Sequence, residues 1–246
     1  GGGKSEELFG QVLEKHPEYR EKMIIQTKCA IVPGKRYDFS KEYIINAVNG
    51  SLKRLHTDHV EILLLHRPDA LCDPQEVAEA FDELYVSGKV KYFGVSNHTP
   101  GQIALLQKYT KHPIIINQLQ LSIVHSVMID SGMNMNMKED FAIDKDGGVL
   151  DYCRLNDITI QAWSIVQASW AEGTFLNHIL DDLAEKYNVT PAAIATAWIL
   201  RHPAHIQAIT GTTSPKHLIE TAEAANIELT RQEWYDLYLA SGKPLP

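Results

Sequence analysis

Apolar residues recur along this chain in two alternating rhythms. Short runs at 22–31 (KMIIQTKCAI), 60–66 (VEILLLH), 90–96 (VKYFGVS), 113–119 (PIIINQL), 158–164 (ITIQAWS) and 205–210 (HIQAIT) read as strands. The run at 60–66 is the continuous apolar type expected of a buried parallel strand. Between the runs the apolar spacing becomes helical. Residues 40–55 open with Ser40 as N-cap and Glu42 in the first turn. Residues 74–88 have Asp73 as N-cap, Pro74 at the first position, Val77, Phe81, Leu84 and Tyr85 on one face, and Gly88 as the stop. Further helices are predicted at 5–16, 100–110, 147–156, 179–187, 191–201 and 215–225, with a last one at 231–240 opened by Thr230.

Six strands, each followed by at least one helix, mean a parallel sheet, either doubly wound or closed into a barrel. No GxGxxG follows any strand, which removes the usual dinucleotide signature of the doubly wound fold. Polar residues instead gather at the carboxyl ends of the strands: Lys28, His66, Ser96-Asn97, Gln118, Trp163-Ser164 and Thr210-Gly211-Thr212. One rim carrying the chemistry is the signature of a (β/α)8 barrel, and a single barrel domain is expected over residues 1–246. Such a barrel takes eight strands, so two βα units are expected ahead of residue 1. The stretch 125–148, with its run Ser131-Gly132-Met133-Asn134-Met135-Asn136-Met137, is expected to be a long irregular loop, either a surface excursion or a substrate lid.

Composition narrows the function classes. The chain is 44% hydrophobic and 22% charged, as expected of a globular protein. With 23 basic and 31 acidic residues the net charge is −8, which disfavours nucleic acid and anionic membranes as partners. No apolar run has the roughly 18 residues of a membrane span. Cys29, Cys72 and Cys153 are an odd number without a CxxC, which argues against a disulfide framework or zinc site and fits a reducing cytoplasm.

Two residues are candidates for chemistry by their position alone. Lys28 at a strand end loses hydration, and its charge lowers the pKa of a neighbouring acid such as a Tyr hydroxyl. His66 ends a strand and precedes Arg67-Pro68-Asp69; a His there can orient a carbonyl or relay a proton. Taken singly, each has an ordinary alternative: Lys28 as a snorkelling surface residue, and His66 as a satisfied rim histidine.

Taken in order, the motifs are more specific. Gly1-Gly2-Gly3-Lys4-Ser5-Glu6-Glu7-Leu8-Phe9-Gly10, Thr27-Lys28-Cys29, the stretch 63–69 (LLLHRPD), Gly94-Val95-Ser96-Asn97, Asn117-Gln118 and Ala162-Trp163-Ser164 follow one another at characteristic spacing. The sequence resembles the aldo-keto reductase family over its whole length, nearest the bacterial YdhF-like oxidoreductases. The resemblance implies a (β/α)8 barrel that binds NADP(H) across its carboxyl rim without a Rossmann motif. It also implies a catalytic set of Asp, Tyr, Lys and His, of which Lys28 and His66 match the last two. The Asp and Tyr belong to a segment directly before the glycines at position 1.

The resemblance further assigns the nicotinamide carboxamide to Ser96, Asn97 and Gln118, which together supply donors and acceptors for it. It places Trp163 against the nicotinamide face, with Ser164 and Val166 opening the loop under the pyrophosphate. The 2′-phosphate end falls on Gly211, Thr212, Thr213, Ser214 and His217, and the adenine on Glu220 and Thr221. Gly211 and His217 stand where the family often has Lys and Arg. The family's connection into the helix at 180–187 is longer than the three residues Asn177-His178-Ile179 expected here.

The activity implied is reduction of an aldehyde or ketone to an alcohol by hydride from NADPH, with no metal. The alternative is a non-catalytic NADP(H)-binding subunit on the same fold, as in potassium-channel β subunits. A metal-dependent barrel hydrolase is disfavoured, since no HxH ends a strand.

Overall fold

The computed structural model describes residues 2–167, 173–243 and 245; Gly1, the first residue of the opening glycine run, lies outside the described residues. The chain divides into two compact units, Gly1–Asn117 and Gln118–Pro246.

In the first unit, helix α1 (Lys4–Lys15) and a 3₁₀ turn (Pro17–Lys22) precede strand β1 (Gln26–Cys29). The strand expected at 22–31 is therefore shorter. Pro17 starts the 3₁₀ turn, and Ala30 takes a φ of 82°, which ends the extended run. A two-residue hairpin, β2 (Ile31–Val32) with β3 (Arg36–Tyr37), follows; its alternation is too short to read from the sequence. Helix α2 (Lys41–Leu55) begins as expected, with Ser40 Oγ accepting from Tyr43 N at 3.4 Å.

Strand β4 (Val60–Leu65) pairs in parallel with β1 and with β5 (Val90–Ser96). Cys29 aligns with Leu65, and Leu65 with Val95. This register brings Lys28, His66 and Ser96 to one rim. Helix α3 (Pro74–Val86) covers the sheet with Val77, Phe81 and Leu84, and the Phe81 ring stacks on Phe93 at 4.0 Å. Helix α4 (Pro100–Tyr109) is started by a reciprocal cap between Thr99 and Gln102. Strand β6 (Ile114–Gln120) begins in this unit and ends in the second.

In the second unit, the stretch expected to be irregular contains helix α5 (Val127–Met133) and a 3₁₀ turn (Asp140–Ala142). The correction has a physical basis. Met128, Ile129, Asp130 and Ser131 are buried, so tertiary packing holds a helix that the Gly- and Asn-containing run would not sustain alone. Helix α6 (Val149–Leu155) leads to β7 (Thr159–Trp163).

Helix α7 (Phe175–Tyr187) starts four residues earlier than expected. Thr174 Oγ1 accepts from Asn177 N at 3.3 Å, so Asn177, His178 and Ile179 are helical and not a connection. Helix α8 (Pro191–Leu200) is apolar nearly all round and buried. Strand β8 shrinks to Gln207–Ala208, paired in parallel with β7 through Gln161 and Ala162. Helix α9 (Pro215–Ala222) passes into a 3₁₀ turn, and α10 (Arg231–Ala240) carries the capping box of Thr230 and Glu233.

Candidate functional site

Each unit holds one cavity that collects residues singled out in the sequence. In the first unit a cavity of about 650 Å³ is lined by Lys28 and His66, with Glu6, Cys29, Tyr43 and Arg54 around them. The parallel register accounts for the pairing, since His66 N donates to Cys29 O at 3.0 Å, directly beside Lys28. Burial lowers the pKa of Lys28 below that of a free ammonium. Burial also lowers the pKa of His66, and the charges of Lys28 and Arg67 push it the same way. His66 is therefore a neutral imidazole at neutral pH, able to donate one hydrogen bond and accept another.

Cys29 is not a nucleophile, because burial pushes its thiol up to about 12. Tyr43 donates its hydroxyl proton to Ile31 O at 2.9 Å, and burial raises its pKa.

Ser96 and Asn97 sit at the end of β5. Asn97 has a φ of 61°, an αL geometry that Asn tolerates. Its Nδ2 donates to Ser96 Oγ at 2.8 Å. The buried His98 ring meets Ser96 O through Nδ1 at 2.9 Å, and burial lowers its pKa to about 4. His98 is therefore a neutral strut beneath Ser96, a role not evident from the sequence.

In the second unit a cavity of about 830 Å³ gathers Trp163, Ser164 and Val166 with Gly211, Thr212, His217, Glu220 and Thr221. The β7–β8 pairing explains this. Ile209 N donates to Ala162 O at 2.9 Å, which sets the turn after β8 beside the end of β7. Ser164 is αL, with a φ of 57°.

Ser214 and Thr213 do not line this cavity. Ser214 is the N-cap of α9, its Oγ accepting from His217 N at 3.4 Å, while Thr212 Oγ1 accepts from Ser214 N at 3.0 Å. Gln118, in the same unit, donates from Nε2 to Gln161 Oε1 at 2.9 Å. Gln161 in turn donates to Gln207 Oε1 at 3.1 Å, so Gln118, Gln161 and Gln207 are linked through their side-chain amides.

The model of the Aldo/keto reductase family matches residues 1–238. The chain belongs to the aldo/keto reductase family. It is 34% identical to a 6-dehydroglucose reductase of Agrobacterium fabrum over 99% of this chain and 81% of that protein. It is also 34% identical to the oxidoreductase YdhF of Escherichia coli, over 98% of this chain and 80% of that protein. Aldo/keto reductase from Klebsiella pneumoniae, solved with NADP and acetate, superposes with a TM-score of 0.76 at 24% identity, covering 99% of this chain and 77% of that one. The fold class is that of these aldo/keto reductases, the (β/α)8 barrel expected from the strand–helix alternation.

Glu6, Tyr43 and Arg54 line the first cavity without having been singled out in the sequence. A signal for Arg54 exists. Glycine in a helix interior is costly, and Gly10 in α1 marks where that helix approaches the α2 backbone at Arg54.

Proposed function

We propose that this protein reduces an aldehyde or ketone to an alcohol with NADPH, in which a Tyr hydroxyl of the family's catalytic set gives its proton to the carbonyl oxygen, Lys28 lowers the pKa of that hydroxyl, and His66 orients the oxygen. The observation that carries this reading is that both residues line one cavity while their environments disfavour the charged forms. Lys28 holds a positive charge where a neighbouring acid would feel it strongly, which stabilises that acid's conjugate base. A neutral His66 offers an N–H to the oxygen of a carbonyl substrate and orients it. The desolvation of this pocket strengthens both effects relative to water.

The second cavity suits a dinucleotide. It offers Trp163, an aromatic side chain that can stack on a ring, and the hydroxyls of Ser164 and Thr212, which can bind phosphate oxygens. When bound there, NADPH supplies the hydride. Ser96, Asn97 and Gln118 would hold the carboxamide, Val166 the start of the pyrophosphate loop, and Gly211, Thr212, Thr213, Ser214 and His217 the 2′-phosphate end. Glu220 and Thr221 would hold the adenine. The NADP printed for the Klebsiella structure supports the choice of cofactor.

The test is steady-state oxidation of NADPH by the protein with a panel of small aldehydes and ketones. Turnover with at least one of them is expected. Tight NADPH binding with no turnover on any would overturn the reading in favour of a cofactor-binding subunit.

A further inference from the structure

One feature of the first unit serves neither the cofactor nor the carbonyl directly. The Arg54 side chain runs past Gly3 and Gly50, and its backbone carbonyl lies against Gly10. A Cβ at Gly3 would lie 2.8 Å from Arg54 Cδ and Nε, and one at Gly50 would lie 3.1 Å from its Nη1. At Gly10 a Cβ would run into the Arg54 backbone oxygen. Gly3 and Gly50 thus leave room for this side chain and Gly10 for the Arg54 carbonyl, and glycine in a helix interior, as at Gly10 and Gly50, is costly unless something fills the space.

At the end of the slot, Arg54 Nε and Nη2 both reach Glu6 Oε2 at 2.7 Å, and Nη2 also donates to Ser51 Oγ at 3.2 Å. The other carboxylate oxygen, Glu6 Oε1, accepts from Thr27 Oγ1. Thr27 is the residue before Lys28 in β1. The Glu6 and Arg54 side chains are 19% and 34% exposed, so the pair is shielded from much of the solvent screening that weakens surface pairs.

Successive side chains of a strand point to opposite faces. A bond that holds Thr27 therefore fixes the roll of β1 about its own axis, and with it the direction of Lys28. We propose that Glu6 is a positioning residue for Lys28: locked by Arg54, it holds the Thr27 hydroxyl and so aims the Lys28 ammonium into the cavity. The proposal rests on the assignment of Lys28 made above. It differs from simple helix docking, because docking would need the ion pair but not the Thr27 hydroxyl.

The experiment compares Thr27→Val, Thr27→Ser, Glu6→Gln, the double variant Thr27→Val/Glu6→Gln and Lys28→Met in the full chain. It measures kcat, carbonyl KM, NADPH Kd and Tm for each. Thr27→Val keeps the shape and removes the hydroxyl. Its kcat is expected to fall about ten- to a hundredfold, the size of effect produced by misplacing a reacting group by about 1 Å. NADPH Kd and Tm should stay near wild type, and Thr27→Ser should restore kcat. The double variant should be no slower than Glu6→Gln, because the two residues act through one bond.

If Thr27→Val keeps kcat within about twofold while Lys28→Met loses it, the positioning role is wrong and the catalytic assignment stands. A Thr27→Ser variant as slow as Thr27→Val also overturns it. If Lys28→Met itself retains kcat, the catalytic assignment falls and takes the positioning role with it. Should Glu6→Gln not fold, the Val and Ser variants of Thr27 decide the question alone.

Discussion

The two cavities are built by opposite means. Around Lys28 the first unit uses charge and steric exclusion: an ion pair, a desolvated ammonium, and three glycines that leave room for one arginine. Around Trp163 the second unit uses mainly neutral groups, hydroxyls and an aromatic ring. Among the described lining residues of that cavity, His217 and Glu220 are the ionisable ones. The difference teaches what each site tolerates. Groups that move protons must be held to fractions of an ångström, so their surroundings accept little change. Groups that hold a large ligand share the contact over many atoms, and each matters less.

The contrast is broken most easily at a glycine. Gly10→Ala places a methyl group against the Arg54 carbonyl oxygen, between two backbones that cannot give way cheaply. Destabilisation of about 3 kcal/mol is expected, read by urea or thermal unfolding. A variant as stable as wild type would show that α1 and α2 slide freely.

The next effect lies outside both cavities. Lys243 is 6% exposed and donates to Ile123 O and, at 2.7 Å, to Ser126 Oγ. It faces His125, Asp130 and Tyr238, and burial lowers its pKa from 10.5 to about 8. Between those two values the unfolded chain holds a proton that the folded chain has released. Raising the pH from 8 towards 10.5 therefore adds stability, on the order of 3 kcal/mol from this group, and the gain is lost as pH falls from 10.5 back to 8. Denaturation at a series of pH values should show this rise, and Lys243→Met should remove it. Equal slopes for the two proteins would mean that Lys243 keeps its proton on folding.

Trp163→Ala sharpens the comparison from the other side. Loss of one stacking face should weaken NADPH binding by about 1–3 kcal/mol, roughly 5- to 160-fold, in an equilibrium titration. The smallest effect is expected at Gly211, where an added Cβ would meet nothing within 4 Å. Gly211→Ala should shift stability by less than about 0.5 kcal/mol, in contrast to Gly10→Ala.

Much of this was legible along the chain. Lys28 and His66 stand at strand ends whose apolar runs announce them, and Thr230 with Glu233 spells a cap. The partners of Glu6 were not legible, because they lie 21 and 48 residues away and no local periodicity links them. Helix α5 was hidden for a similar reason, since burial and not propensity sustains it. The early start of α7 has a local signal, since Thr174 precedes Phe175-Leu176 as a cap.

The most direct test of the division between the two cavities is a pair of measurements on Lys28→Met, namely NADPH Kd by quenching of protein fluorescence and the single-turnover rate with a saturating aldehyde. A Kd within about twofold of wild type and a rate lower by several orders of magnitude are expected, because the role proposed for Lys28 lies in the transition state. A single-turnover rate close to wild type, or a loss of activity that follows a matching loss of NADPH affinity, would contradict it.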